Sequence, residues 1–246
     1  MADNRAWPGM RVPPEVIGTA LTLFYEGFSF GNISRQIWRL FKIEPSKSTL
    51  YGWLMHCSRV ADIIASELKP RLGGNLIIDG TDVKFGNRYV RIWDVLDTET
   101  RFLAVSRLAV SSISRDAQSV MKQAKTRATG IPEFVISERL ASHLDGIERE
   151  SGTDIWHIHS KGISGRINNS LVWQFHETLK SRAKIIRGLR NRKTIRSALS
   201  GFLIYYNFLK PHEALGMKTP AQAADLKFPY TTWELLVTRR GTTGSS

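Results

Sequence analysis

The sequence predicts a mixed α/β fold in which a small helical unit precedes a larger sheet-bearing one, and three observations predict it. Apolar residues recur at helical spacing from Val16 to Leu54. The breaker-rich stretch Lys69-Pro70-Arg71-Leu72-Gly73-Gly74 then interrupts them. Beyond it the pattern changes to short β-type runs separated by polar turns, with a helical stretch between them.

Taken in order, residues 1–13 are polar and carry proline and glycine, an expected leader. Val16, Ile17, Ala20, Leu21, Leu23 and Phe24 form one helical stripe that Gly27 ends. A second helix is expected over Ser29 to Phe41, with Ile33, Ile37, Trp38 and Leu40 on one side. After the turn Lys42-Ile43-Glu44-Pro45, Ser46 or Ser48 can cap a third helix through Leu50, Tyr51, Trp53 and Leu54. That outline is a helix-turn-helix, in which Lys47, Ser48, Thr49, Tyr51 and Gly52 would face DNA. A plain three-helix cap on a larger core is the alternative. Leu76-Ile77-Ile78 is a short buried run ending in Asp79, followed by strands at Tyr89 to Trp93 and Phe102 to Val105. Ser114 to Arg127 reads as a helix with Ala117, Val120, Met121 and Ala124 inward. A strand at Phe134-Val135-Ile136 ends in Ser137-Glu138, a helix is expected near 140–149, and a further strand spans Asp154 to Ile158. The predicted organisation is a leader (1–13), a helix-turn-helix domain (14–68), a linker (69–75), a sheet-bearing domain (76–224) and a C-terminal tail (225–246).

The totals narrow the partners. With 246 residues, 42% hydrophobic and 10% aromatic, the chain is globular and long enough for a sizeable core and a satellite domain. Its net charge of +13 and isoelectric point near 10.1 point to nucleic acid first and to an anionic membrane surface second. No apolar run reaches the ~18 residues of a membrane span. The start, Met1-Ala2-Asp3-Asn4-Arg5, lacks the apolar core of a secretory signal. The lone cysteine, Cys57, excludes an intrachain disulfide and a cysteine-based zinc finger. A cytoplasmic, nucleoid-associated protein with no membrane partner is expected.

Charge is concentrated after Asn168-Asn169, where Leu171, Val172, Phe175 and Leu179 keep helical spacing. No acidic residue occurs from Thr178 to His212, while Lys180, Arg182, Lys184, Arg187, Arg190, Arg192, Lys193, Arg196 and Lys210 do. So one-sided a run cannot neutralise itself and is matched by a polyanion. A solvated helix face is the plainer explanation, and the apolar scaffold beneath the run argues against it. Double-stranded DNA is the expected partner.

Several segments resemble the DDE-type transposases of insertion sequences, the insertion-sequence-six-like group within the retroviral-integrase and RNase H-like superfamily. They are Leu23-Phe24-Tyr25-Glu26-Gly27-Phe28-Ser29 with Ser48-Thr49-Leu50-Tyr51-Gly52-Trp53, and Leu96-Asp97-Thr98-Glu99-Thr100-Arg101-Phe102. Further on, Phe175-His176-Glu177-Thr178-Leu179-Lys180 with Ile186-Arg187-Gly188, and Tyr206 to Gly216 with Thr219-Pro220-Ala221, continue the likeness in the same order. The resemblance implies an RNase H-like integrase-core domain preceded by a small all-α helix-turn-helix domain. It also implies three carboxylates around two magnesium ions, which activate water and then a DNA 3′-hydroxyl.

Carried over by position, Asp79 matches the first carboxylate. Glu138 stands at the second, where an aspartate is usual; its extra methylene moves the oxygens by about 1 to 1.5 Å, against the ~0.5 Å precision that such sites need. At the third, the chain has Trp173, whose indole offers neither charge nor a metal oxygen. Glu177 is a possible stand-in one helical turn, ~5.4 Å, further on, and Asp82, Asp94 and Asp97 also lie near the first strand. Trp173 either fills the space of the absent metals or stacks on an unpaired base. His157, His159 and His176 are expected in polar core or phosphate contacts. The resulting expectation is a domesticated, transposase-derived DNA-binding protein without strand-transfer chemistry and without a cofactor, acting as a homodimer or higher homo-oligomer with a regulatory or recombination partner. The alternatives are an active transposase using Mg2+ at Asp79, Glu138 and Glu177, and a protein-interaction scaffold.

Overall fold

The structure, a computed structural model, describes residues 10–73, 75–85, 88–109, 113–127, 134–137, 156–159 and 191–238. Three helices come first: α1 (Pro14–Tyr25), α2 (Phe30–Phe41) and α3 (Lys47–Ser66). Pro14 opens α1, where its fixed φ suits the first turn and its missing N–H costs nothing. Gly27, at φ 112°, turns the chain out of that helix into a region closed to most L-residues. Ser29 caps α2 by accepting from the Asn32 N–H at 3.3 Å, and Ser46 caps α3 by accepting from the Thr49 N–H at 3.1 Å. In α2, Ile33 and Ile37 are buried, but Trp38 and Leu40, expected on the same side, are 49% and 64% exposed. At 100° per residue Trp38 falls beyond the stripe that Ile33 and Ile37 bury, whereas Leu40 keeps the face of Ile33 but stands in the last turn of α2, where that face is left uncovered.

Five strands follow: β1 (Asn75–Phe85), β2 (Arg88–Asp97), β3 (Leu103–Leu108), β4 (Phe134–Ser137) and β5 (Trp156–His159), with α4 (Ile113–Arg127) between β3 and β4. They form one sheet in the order β3-β2-β1-β4-β5, antiparallel over the first three strands and parallel from β1 to β5. This is the mixed sheet expected. Its first strand is longer than the apolar run Leu76-Ile77-Ile78 announced, because β1 and β2 continue past Asp79 as a hairpin pairing down to Phe85 and Arg88. Asp97 ends β2 by turning inward: its Oδ2 accepts from the Thr100 N–H at 2.8 Å and from the Thr100 hydroxyl. The turn satisfies one oxygen of this fully buried acid, while its Oδ1 has no hydrogen-bond partner among the described residues.

The chain returns as α5 (Arg192–Ile204), a π turn (Tyr205–Leu209), and the short helices α6 (Pro220–Ala223) and α7 (Trp233–Val237). The side chain of Asn207 holds the edge strand: its Oδ1 accepts from the Leu103 N–H and its Nδ2 donates to the Leu103 carbonyl, both at 2.8 Å. An amide thus supplies the pairing that a further strand would give. The first helices are not separate from this part. α3 lies along α5 and α1 against α7, so their apolar residues join those of the sheet in one buried cluster. Trp233, inside the stretch expected to be a tail, is 1% exposed and stacks on Tyr25 at 5.5 Å between ring centroids. No helix among the described residues is long and apolar enough to cross a membrane.

Candidate acidic centre and nucleic-acid interface

Asp79 lies within β1, where its Cα partner on β2 is Asp94, and the partner of Asp94 on β3 is Ser106. Directly opposed residues share a face of the sheet, so the register sets these three in a row across neighbouring strands. On its other side β1 runs parallel to β4, with Ile78 opposite Ser137, the last residue of that strand. Asp94 itself is buried, 2% exposed. That register partner is the contribution the sequence left undefined. Counting residues back along the hairpin from its turn would have found it.

The other acids near β1 have structural duties. Asp82 takes a two-pronged ion pair from Arg91, Nε to Oδ1 at 2.9 Å and Nη2 to Oδ2 at 2.8 Å. The Arg91 hydrogen bonds hold its carboxyl below the usual carboxylate range, against a smaller opposing effect of burial. Asp97 is occupied by its turn. Of the predicted acidic-site positions, Asp79 lies among the described residues, whereas Glu138, Trp173 and Glu177 lie outside them. Among the described residues, no group of three or more His, Cys, Asp or Glu is placed to hold a metal ion.

The candidate DNA-contacting residues fall into two clusters that the fold brings together. Lys47, Ser48 and Thr49 are exposed at the start of α3, the two hydroxyls gathered on Ser46 at 2.8 Å each. Lys47 also neighbours the start of α2, where a Cβ on Gly31 would stand 4.0 Å from its Cε. Tyr51 is half-buried, and its hydroxyl lies 2.6 Å from the Thr194 hydroxyl, a contact between residues 143 positions apart. Thr194 sits in the first turn of α5, which Asn191 caps by accepting from the Thr194 N–H at 2.8 Å. Arg192 and Lys193, exposed in that same turn, therefore stand close to the front of α3. Lys180, Arg182, Lys184, Arg187 and Arg190 lie outside the described residues. The front of α3 and the end of the basic run thus share one hydrogen bond. Neither periodicity nor charge counting signals that contact, because it joins segments distant in sequence.

A sequence model of the DDE domain matches residues 74–212, more than half of the chain. No curated protein matches. Among solved structures, the chain is similar to the HTLV-2 integrase catalytic core domain in complex with magnesium, at 18% identity over 64% of this chain and 98% of that one, TM-score 0.49. It is similar to the catalytic core domain of BIV integrase at 16% identity, over 61% and 93%, TM-score 0.48. A simian T-cell lymphotropic virus intasome matches at 17% identity, over 86% and 74%, TM-score 0.49.

Proposed function

Because the chain belongs to the DDE-type transposase family, we propose that it is a DNA-binding protein that has lost the family's strand-transfer reaction. The observation that carries this reading is the indole of Trp173 at the position of the third carboxylate, together with the longer Glu138 at the second. Magnesium takes hard oxygen ligands in a nearly fixed octahedron. An aspartate, a displaced glutamate and an indole do not make a fitting set for two such ions, and no catalytic step is derived through them. What stays is the gripping surface: the front of α3 for sequence, Arg192 and Lys193 with the preceding cations for the phosphate backbone, and a net charge of +13 behind both. A nucleoid-associated homodimer serving as a regulator or recombination accessory is the role this surface fits, since paired DNA ends and half-sites are read by paired subunits.

A second reading has one observation in its favour. Asp94 is the register partner of Asp79 on the neighbouring strand, a second acidic residue beside the first ligand position, and an active transposase with a rebuilt site would use it with Glu138 or Glu177. A cleavage and strand-transfer assay with magnesium or manganese on the cognate ends decides between them. The expected result is DNA binding without product. Product formation that Asp79→Ala abolishes would overturn the loss of chemistry and leave the DNA-binding role intact.

A further inference from the structure

Beyond Leu103, where Asn207 covers the edge of the sheet, β3 is flanked by α4 and α5, and a cleft of about 430 Å3 lies between the three elements. Three arginines line it: Arg107 from β3, Arg127 from the last turn of α4, and Arg196 from α5. Among the described residues, the lining contains no aspartate or glutamate. Arg196 and Ser200 are one turn apart on the same face of α5, and Gln123 and Arg127 are likewise paired on α4. Two of the guanidinium groups are anchored: Arg107 Nη1 donates to the Ser119 hydroxyl at 2.8 Å, and Arg127 Nη1 to the Ala104 carbonyl at 3.4 Å. The anchor of Arg107 uses one of the five donors of its fork. Arg196 is exposed at the rim and makes no hydrogen bond or ion pair among the described residues.

Gathering like charges around one space costs free energy that folding alone does not return. An anion in the cleft would remove that cost, and the planar fork of arginine matches phosphate oxygens two at a time. The volume is within the range of small-ligand sites, roughly 300–1,000 Å3. We propose that this cleft is a phosphate-binding site, with Arg107 and Arg127 as the fixed donors and Arg196 closing over the ligand. The phosphate is either a phosphodiester of DNA lying along α5 or a free phosphate compound. The inference does not depend on the DNA-binding reading, because phosphate seating is measured without DNA.

The experiment follows inorganic phosphate by phosphorus NMR line broadening with the full chain at low salt. Arg107→Gln and Arg196→Gln are compared with Lys122→Gln, an equal loss of charge at an exposed position of α4 outside the cleft. The wild type is expected to broaden the resonance saturably. Each arginine variant should weaken binding about tenfold, the effect of one charge-assisted hydrogen bond, and Lys122→Gln should leave it nearly unchanged. Arg196→Gln sits on an exposed helix position and keeps the fold testable should Arg107→Gln unfold the chain. A parallel titration with a fluorescent duplex identifies the source. Weakened duplex binding in the arginine variants, with phosphate competing, assigns the site to the DNA backbone; unchanged duplex binding assigns it to a free phosphate compound. Absence of saturable broadening by the wild type, or equal losses in all three variants, overturns the site. Failure of the wild type to bind duplex in a salt-dependent way strikes the DNA-binding reading alone.

Discussion

Gly52 stands in the second turn of α3 with nothing within 4 Å of where a Cβ would be. A glycine inside an exposed helix costs about 0.5–1 kcal/mol relative to alanine, and no neighbour among the described residues requires it. On the DNA-binding reading the missing side chain lets a phosphate or base edge approach the backbone, beside Ser48 one turn earlier. Gly52→Ala is therefore expected to raise thermal stability and to weaken duplex binding, two effects of opposite sign. Unchanged affinity in an anisotropy titration would remove that role. Further along the helix, Cys57 is buried, and burial pushes its thiol from 9.0 up to about 12. Alkylation at pH 8 should be negligible until denaturant is added. A group whose pKa is raised by folding stabilises the native state fully below its unfolded value and loses that contribution as pH rises towards the folded one. The stability difference between wild type and Cys57→Ala should thus be constant below pH 9 and shrink as pH rises towards 12, as urea titrations at stepped pH would record.

Packing of α5 against α1 and α3 turns on Gly201. A Cβ there would collide with the Tyr25 hydroxyl and with the Ser58 hydroxyl, which lie 3.0 Å from each other in a buried hydrogen bond. The backbone of α5 therefore comes as near to its neighbours as glycine alone permits. Gly201→Ala is expected to destabilise the protein by about 1–3 kcal/mol, the usual cost of overfilling a tight core. Adding Tyr25→Phe, which removes one of the colliding oxygens, should restore part of the loss in urea unfolding. Full additivity of the two changes would contradict this account. The same packing sets the relative position of α3 and the first turn of α5, so loosening it should also weaken DNA binding.

At the scale of the whole molecule, charge is the governing quantity. If six to eight phosphates are neutralised, log K should fall against log salt with a slope of roughly −5 to −7. Arg187→Ala, Arg190→Ala and Arg192→Ala combined should weaken binding to every sequence alike and flatten that slope by roughly 2–3, near one for each phosphate left without its cation. A flat salt response in the wild type would favour a protein-interaction scaffold. Much of the frame was legible beforehand. The helical stripes of α1 and α4, the cap at Ser46, the strand runs and the turn at Asp97 are local patterns, fixed by side chains a few positions apart. The burial of Trp233 and the exposure of Leu40 were not legible, since each depends on what another segment covers.

The sequence by itself determined the DDE-family membership, the basic surplus, and the identities of Asp79 and Trp173, on which the proposed loss of chemistry rests. These are matters of which residue stands where, and composition and order carry them completely. Only the tertiary structure decided that Asp94 is the register partner of Asp79, that Tyr51 joins α3 to the basic turn of α5, and that Arg107, Arg127 and Arg196 line one cleft. Those pairings are set by strand register and helix packing. They arise when apolar faces far apart in the chain are buried against one another, and no local pattern encodes which faces will meet.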